Sequence, residues 1–132
     1  MRNFRELGVW NDSISLVTDI YTILKGFPTE ERYVLSDQIR RAAISIASNI
    51  AEGSSRESNK EYSHFLQISI GSAFELETQL IIANNLKYLS GSHLKELRIR
   101  LNSIEKRLNK MITVLKNIPQ QQFKAQLPTP KS

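Results

Sequence analysis

The side chains best suited to chemistry in this sequence are Glu61 and His64, which follow a Glu-x-x-His spacing. Helical bundles that hold two metal ions use this spacing twice, together with two further glutamates that face the same interior. The other histidine, His93, follows Ser90 at that spacing, where such a site requires a carboxylate. Glu61 also has a structural role, because it completes a capping box with Ser58. We therefore expect no metal and no other cofactor.

Other pairs of reactive side chains lack a geometry suited to catalysis. Glu75 and Glu77 are two residues apart, and on a helix they point to different faces. Ser92 and Lys95 match a Ser-x-x-Lys spacing, but the companion motifs of enzymes that use it are missing. The chain has no cysteine and no phosphate-cradling glycine loop. The sequence therefore predicts a protein that is not an enzyme and has no small-molecule substrate.

Basic charge is concentrated near the end of the chain. The net charge is +5, and residues 91–118 hold seven Lys or Arg against two Glu. Such a patch attracts polyanions, although a solvated face that keeps the protein soluble is an equal alternative. No aromatic side chains interleave with the charges, so phosphate contact without sequence readout is expected. The candidate contacts to RNA or DNA are Lys95, Arg98, Lys106, Arg107 and Lys110.

Arg40 and Arg41 form a second basic pair, in the middle of a helical stretch beside small residues. Their guanidinium groups suit phosphates, but pairing with carboxylates is the favoured interpretation. The candidate carboxylates are Asp37, Glu52, and Glu75 or Glu77 of a second subunit.

Four stretches with helical periodicity must position these side chains. The first carries a stripe ended by Gly26 and Pro28, and the second runs from about Thr29, as N-cap, to Glu52 before the break at 53–55. The third begins at the Ser58 capping box and ends at 90–92, and Pro119 stops the fourth. The four stripes are Trp10, Ile14, Val17, Tyr21, Leu24; Leu35, Ile39, Ala42, Ile46, Ile50; Tyr62, Leu66, Ser69, Ala73, Leu76, Leu80, Ala83; and Leu94, Leu97, Leu101, Ile104, Leu108, Met111, Leu115, Ile118.

These stretches predict an all-α fold, an up-down-up-down four-helix bundle over residues 1–118. Residues 119–132 contain further prolines and no periodicity, so a disordered C-terminal tail is expected. No apolar run reaches the length of a membrane span, and the N-terminus lacks the apolar region of a signal peptide. We expect a cytoplasmic protein with no membrane partner.

The chain has more apolar surface than one bundle core requires. The first helix has a second stripe, and the third is apolar nearly all round, which is typical of a helix that is central or covered by a partner. A four-helix bundle has no central helix, so self-association is expected; the alternative is a wide core with ordinary surface apolar residues. The predicted oligomer interface comprises Leu16, Ile20, Ile23, Ile70, Phe74 and Ile81.

Four segments, at 4–10, 27–28, 38–53 and 71–80, also resemble a known family, and the resemblance covers about residues 4–118. This is the bacterial four helix bundle protein family, whose members include proteins encoded in intervening sequences of 23S ribosomal RNA genes, some labelled ribosomal proteins. The chain is more distantly similar to the accessory variability determinant of diversity-generating retroelements. The resemblance implies a homopentameric barrel, nucleic-acid affinity in at least the retroelement relatives, and no catalytic residue.

The expected function is thus a non-enzymatic homo-oligomer, with a pentamer implied by the resemblance, that contacts RNA or DNA phosphates through its fourth helix. The alternative is a structural or protein-interaction scaffold without direct nucleic-acid binding. Its partner would be another protein, for example a reverse transcriptase or a ribosome-associated protein.

Overall fold

The computed structural model describes residues 2–118, which form four α-helices and two short 3₁₀ turns, at Phe4–Glu6 and Thr29–Glu31. The helices are α1 Gly8–Leu24, α2 Leu35–Ser54, α3 Asn59–Asn85 and α4 Gly91–Lys116. Helix α1 packs on α2 and α4, and α3 packs on the same two helices. This arrangement confirms the predicted all-α four-helix bundle. The expected disordered tail, residues 119–132, lies outside the described residues.

Three of the four predicted stripes face the core. Burial of apolar side chains is the dominant favourable term in folding, and all three stripes join one cluster. The fully buried large side chains of α2, α3 and α4 are Ile39, Ile46, Ile50, Leu66, Leu76, Leu80, Leu97, Leu101, Ile104 and Leu108.

Helix α1 is rotated relative to the prediction. Leu16 and Ile20 are buried in the core, whereas Ile14 and Tyr21 of the predicted core stripe are 41% and 43% exposed. Both stripes of α1 are apolar at the same spacing, so periodicity alone does not decide between them. The assignment of Leu16 and Ile20 to an oligomer interface is therefore corrected, because these side chains have no surface left for a second chain.

The start of α2 also differs from the prediction. Thr29 lies in a 3₁₀ turn and its side chain caps no helix, and α2 begins six residues later, at Leu35. Val34, immediately before α2, has a non-helical backbone (φ −118°, ψ −96°), which separates the 3₁₀ turn from the helix. The hydroxyl of Tyr88 donates a hydrogen bond to Glu31 at 3.1 Å, which ties this connection to the far end of α3.

The end of α3 comes earlier than expected, at Asn85 rather than at 90–92. Lys87 adopts a left-handed backbone (φ 67°), and the Tyr88 N–H bonds to the Ala83 carbonyl, the pattern of a Schellman cap. Ser90 instead begins the next helix, because its side chain accepts a hydrogen bond from the His93 N–H. Gly91 is the first residue of α4 and does not break a helix.

Gly53 lies inside α2, where the sequence predicted a break, and it permits α2 and α3 to approach closely. A Cβ at this position would lie 2.8 Å from the Cβ of Phe65 and 3.0 Å from Cδ1 of Tyr62. The Phe65 Cβ is fixed to its backbone, so it cannot move aside without shifting α3.

We expect Gly53→Ala to lower the free energy of unfolding by about 1–3 kcal/mol, the usual cost of overpacking a core. Alanine normally stabilises a helix interior by about 1 kcal/mol relative to glycine, and we expect the overpacking at Gly53 to outweigh this gain. Urea denaturation measures it. Gly91→Ala is the control, because a Cβ there meets no atom within 4 Å. Equal stability of the two variants would contradict the close packing at Gly53.

Candidate nucleic-acid interface

The two arginines among the predicted nucleic-acid contacts are paired with carboxylates of neighbouring helices. Arg98 contacts Glu77 of α3 at 2.9 Å, and Arg107 contacts Asp12 of α1 at 2.7 Å. Exposed ion pairs add little stability individually, but these place compensating charge beside both guanidinium groups. Their role within the protomer is to join α4 to its neighbours, which weakens their case as phosphate contacts.

Arg100 forms a third such pair, with Asp19 of α1 at 2.8 Å. Asp12 and Asp19 are seven residues apart on α1, and Arg100 and Arg107 are seven apart on α4. Two antiparallel helices whose opposite charges share this spacing can form both ion pairs at once, since seven residues make about two helical turns. Both ion pairs accompany the rotation of α1 that buries Leu16.

The three predicted lysines, Lys95, Lys106 and Lys110, lie together on the solvent side of α4, opposite the buried Leu97 and Leu101. All three are exposed, and within residues 2–118 none forms an ion pair. Fifteen residues of helix separate the first from the last, a length of about 22 Å at 1.5 Å per residue. We call Lys95, Lys106 and Lys110 the lysine face.

Neutral polar side chains continue the lysine face. Asn102, Asn109 and Thr113 are exposed on the same side of α4, where Ile99 is 62% exposed. Amide and hydroxyl groups are common contacts to phosphate and sugar oxygens. Along this side of α4 the sequence has no carboxylate, because Glu96 and Glu105 flank it on opposite sides.

Glu105 borders a surface groove of about 550 Å³ between the lysine face and α3, which Glu77 and Arg98 also line. Its Oε2 atom is buried and accepts no hydrogen bond from any residue between 2 and 118. Burial raises the pKa of Glu105, and the nearby Glu77 carboxylate raises it further. The ionised form of Glu105 is therefore disfavoured in the folded protein.

This raised pKa predicts a pH-dependent cost. The folded state holds the Glu105 proton more tightly than the unfolded state, so stability falls as pH rises from about the ordinary value of 4.5 through the raised pKa. Glu105→Gln removes that cost, and its melting temperature should exceed the parent's at pH 7 and converge with it below pH 4.5. Glu57→Gln, at an exposed position, is the control. An increase in melting temperature that is the same at pH 7 and below pH 4.5 would contradict the argument that burial raises the pKa of Glu105.

Glu61 and His64 have structural contacts. The Glu61 N–H donates to the Ser58 hydroxyl at 3.1 Å, which confirms Ser58 as the N-cap of α3. The Ser58 hydroxyl in turn donates to the Glu61 carboxylate at 3.1 Å. The His64 ring lies edge-on to Phe65, with centroids 5.8 Å apart. Among the described residues, no group of three or more His, Asp or Glu is arranged to hold a metal ion.

Arg40 and Arg41 differ in their charge partners. Arg41 contacts Asp37 at 3.0 Å, one of the predicted pairings. Arg40 donates to the Arg32 carbonyl at 2.9 Å and lies 6.0 Å from the centre of the Tyr21 ring. In the described part of the chain, Arg40 has no carboxylate partner.

The remaining predicted interface residues lie at different depths. Ile70 is buried, Ile23 and Ile81 are half-buried, and Phe74 is 53% exposed. Sequence reasoning did not identify Ile14, Tyr21 and Ile44 as exposed apolar residues. Ile68, Ile82 and Leu86 of α3 are also exposed. The sequence feature that could have indicated the orientation of α1 is the seven-residue spacing that its two aspartates share with Arg100 and Arg107 of α4.

None of the helices formed by residues 2–118 combines the length and the apolar character that crossing a membrane requires.

Comparison with known proteins adds a family match. The family model described as 23S rRNA-intervening sequence protein matches residues 5–110. The chain is also similar to the crystal structure of a protein of unknown function from the S23 ribosomal protein family of Bacteroides thetaiotaomicron. The two chains are 25% identical with a TM-score of 0.71, and the match covers 79% of this chain and 97% of the other. None of the curated proteins matches this chain.

Proposed function

Because the chain belongs to the family of 23S rRNA-intervening sequence proteins, we propose that it is a non-enzymatic, cytoplasmic homo-oligomer that binds RNA or DNA phosphates through α4. The observation that carries this proposal is the lysine face, with three exposed ammonium groups that lack carboxylate partners among the described residues. The more distant similarity to the retroelement determinant stays a prediction.

Phosphate binding fits the lysine face better than base recognition does. Lysine is a flexible point charge that contacts phosphate without a fixed geometry, whereas base readout typically uses arginine or amides held in the major groove. The neighbouring arginines are held in ion pairs with Glu77, Asp19 and Asp12. Binding is therefore expected to tolerate changes in nucleic-acid sequence.

Each protomer offers only a few phosphate contacts, so useful affinity requires several copies. Linked sites bind one polyanion with much higher avidity than a single site. Exposed apolar residues such as Phe74 and Tyr21 support association, and the sequence resemblance supports five copies. Light scattering coupled to size exclusion should return a mass near five protomers of 15.1 kDa.

Replacing Lys95, Lys106 and Lys110 together with glutamate should abolish binding to structured RNA and duplex DNA in filter-binding assays at low salt. The three positions are exposed, so the helix content and the oligomer mass should not change. The matched control carries Lys25→Glu, Lys60→Glu and Lys87→Glu, which change the total charge equally at exposed positions outside α4. Equal binding by the two triple variants would show that the lysine face is only a solvated surface.

The second candidate function is a protein-interaction scaffold. It is favoured by apolar side chains beside the start of α2, where Tyr33 is 80% and Val34 62% exposed. An intact oligomer that binds neither RNA nor DNA at low salt would favour this function over the first.

A further inference from the structure

The outward side of α3 is nearly free of charge. Between Tyr62 and Leu86 the only acidic or basic residues besides His64 are Glu75 and Glu77, and Glu77 is turned toward Arg98 of α4. Glu75 is exposed and forms no ion pair within residues 2–118. Ile68, Gly71, Glu75 and Ile82 follow helical spacing and are all exposed, and we call them the α3 outer face.

Gly71 leaves open space on the α3 outer face. A Cβ at Gly71 would meet no atom within 4 Å, so nothing inside the protomer requires glycine there. Glycine in a helix interior costs stability relative to alanine. A glycine that the protomer does not need, between exposed Ile68 and Phe74, lets the backbone of another helix come close.

A second unpartnered face lies on the other pair of helices. Ile14 and Tyr21 of α1 lie two turns apart, and Ile44 lies one turn after Arg40 on α2. Arg40 approaches the Tyr21 ring, which brings the two helices' exposed residues into one surface. We call Ile14, Tyr21, Arg40 and Ile44 the α1–α2 face. Its unneutralised charge is positive, whereas that of the α3 outer face is negative.

We infer that the α1–α2 face of one copy of this chain packs on the α3 outer face of the next, and that Arg40 pairs there with the partner subunit's Glu75. This inference rests on the proposed homo-oligomer and names its contact. Each face is apolar with a single charge of opposite sign, so the two are complementary to each other. Each face set against its own copy would instead oppose two like charges.

The two faces belong to different helices, so the contact is heterologous, with one surface of each chain meeting the other surface of the next. Repetition of a heterologous contact closes a ring when the rotation per subunit fits. Each protomer in such a ring uses both faces, and every Arg40 and every Glu75 finds a partner.

Charge reversal tests the pairing. Arg40→Glu and Glu75→Arg are each expected to shift the mass measured by light scattering to smaller species, because each places two like charges in an otherwise apolar contact. The double variant restores the opposite charges in exchanged positions, and its mass should return to the parent's. Arg41→Glu is the control, since the neighbouring Arg41 is already paired with Asp37. Its mass should stay that of the parent.

Gly71→Leu provides a test that does not depend on charge. The space around Gly71 is open in the protomer, so helix content by circular dichroism should be unchanged while the mass falls. A parent that assembles but is insensitive to Gly71→Leu and to both charge reversals would overturn the assigned contact alone. A double variant that stays dissociated would also overturn the Arg40–Glu75 pairing. A parent that is monomeric at all concentrations would overturn the proposed oligomer as well.

Discussion

Replacing Leu101 with alanine is expected to lower the free energy of unfolding by about 2–5 kcal/mol, the range typical of truncating a buried leucine. Leu101 is fully buried in the α4 stripe, and the bundle packs around it from α1 and α3. Truncation removes apolar contacts and leaves a cavity that fixed neighbours fill only in part. Because domains of this size are stable by only about 5–15 kcal/mol, the loss is a large share of the total.

Urea denaturation of the assembled protein at fixed concentration measures this loss, because association itself contributes to apparent stability. Ile99→Ala is the matched control on the same helix, since Ile99 is 62% exposed. Its effect should stay within about 0.5 kcal/mol. Equal effects of the two substitutions would mean that the buried face of α4 is wrongly identified.

Ile20→Asp is expected to prevent folding at room temperature. Ile20 is 1% exposed in the core, where a carboxylate has neither water nor a cationic partner. Burying an unpaired charge costs enough to cancel most of the stability of a small domain. Circular dichroism should show loss of helix content, and not merely a change in oligomer mass.

Tyr21→Asp is the control for Ile20→Asp, since the two positions are adjacent on α1 and Tyr21 is exposed. It should keep its helix content and lose mass, because Tyr21 belongs to the α1–α2 face. The reverse outcome, with Ile20→Asp folded and Tyr21→Asp unfolded, would show that α1 presents its other stripe to the core.

The stripes of α2 and α4 were predictable from the sequence because each helix has one clearly favoured apolar line at helical spacing. The line that includes Ile39, Ile46 and Ile50 illustrates this, since all three residues are fully buried. Helix α3 is apolar nearly all round, and its stripe was predictable from a three- and four-residue spacing that continues from Tyr62 to Ala83. The rotation of α1 was not predictable from its own residues, because its two stripes are equally apolar. It depends on how the two stripes pack against the neighbouring helices, and the rotation that buries Leu16 also brings Asp19 beside Arg100.

The candidate site was likewise predictable only in part, because some of its side chains depend on which residues the neighbouring helices bring alongside. The exposure of Lys95, Lys106 and Lys110 follows from their position opposite the leucine stripe of α4. The ion pairs of Arg98 and Arg107 require knowledge of which acidic residues α3 and α1 bring alongside. The left-handed turn at Lys87 was also not predictable from the sequence, because lysine has no preference for that backbone conformation.

The most direct test of phosphate binding by an assembled protein is the affinity of the parent for duplex DNA as salt concentration increases. Each neutralised phosphate contributes about −0.9 to the slope of log affinity against log salt, so the three lysines of one protomer predict a slope of about −3 or steeper. The account predicts this steep line while the oligomer mass stays constant. An affinity that does not change with salt, or no binding at the lowest salt, would contradict it.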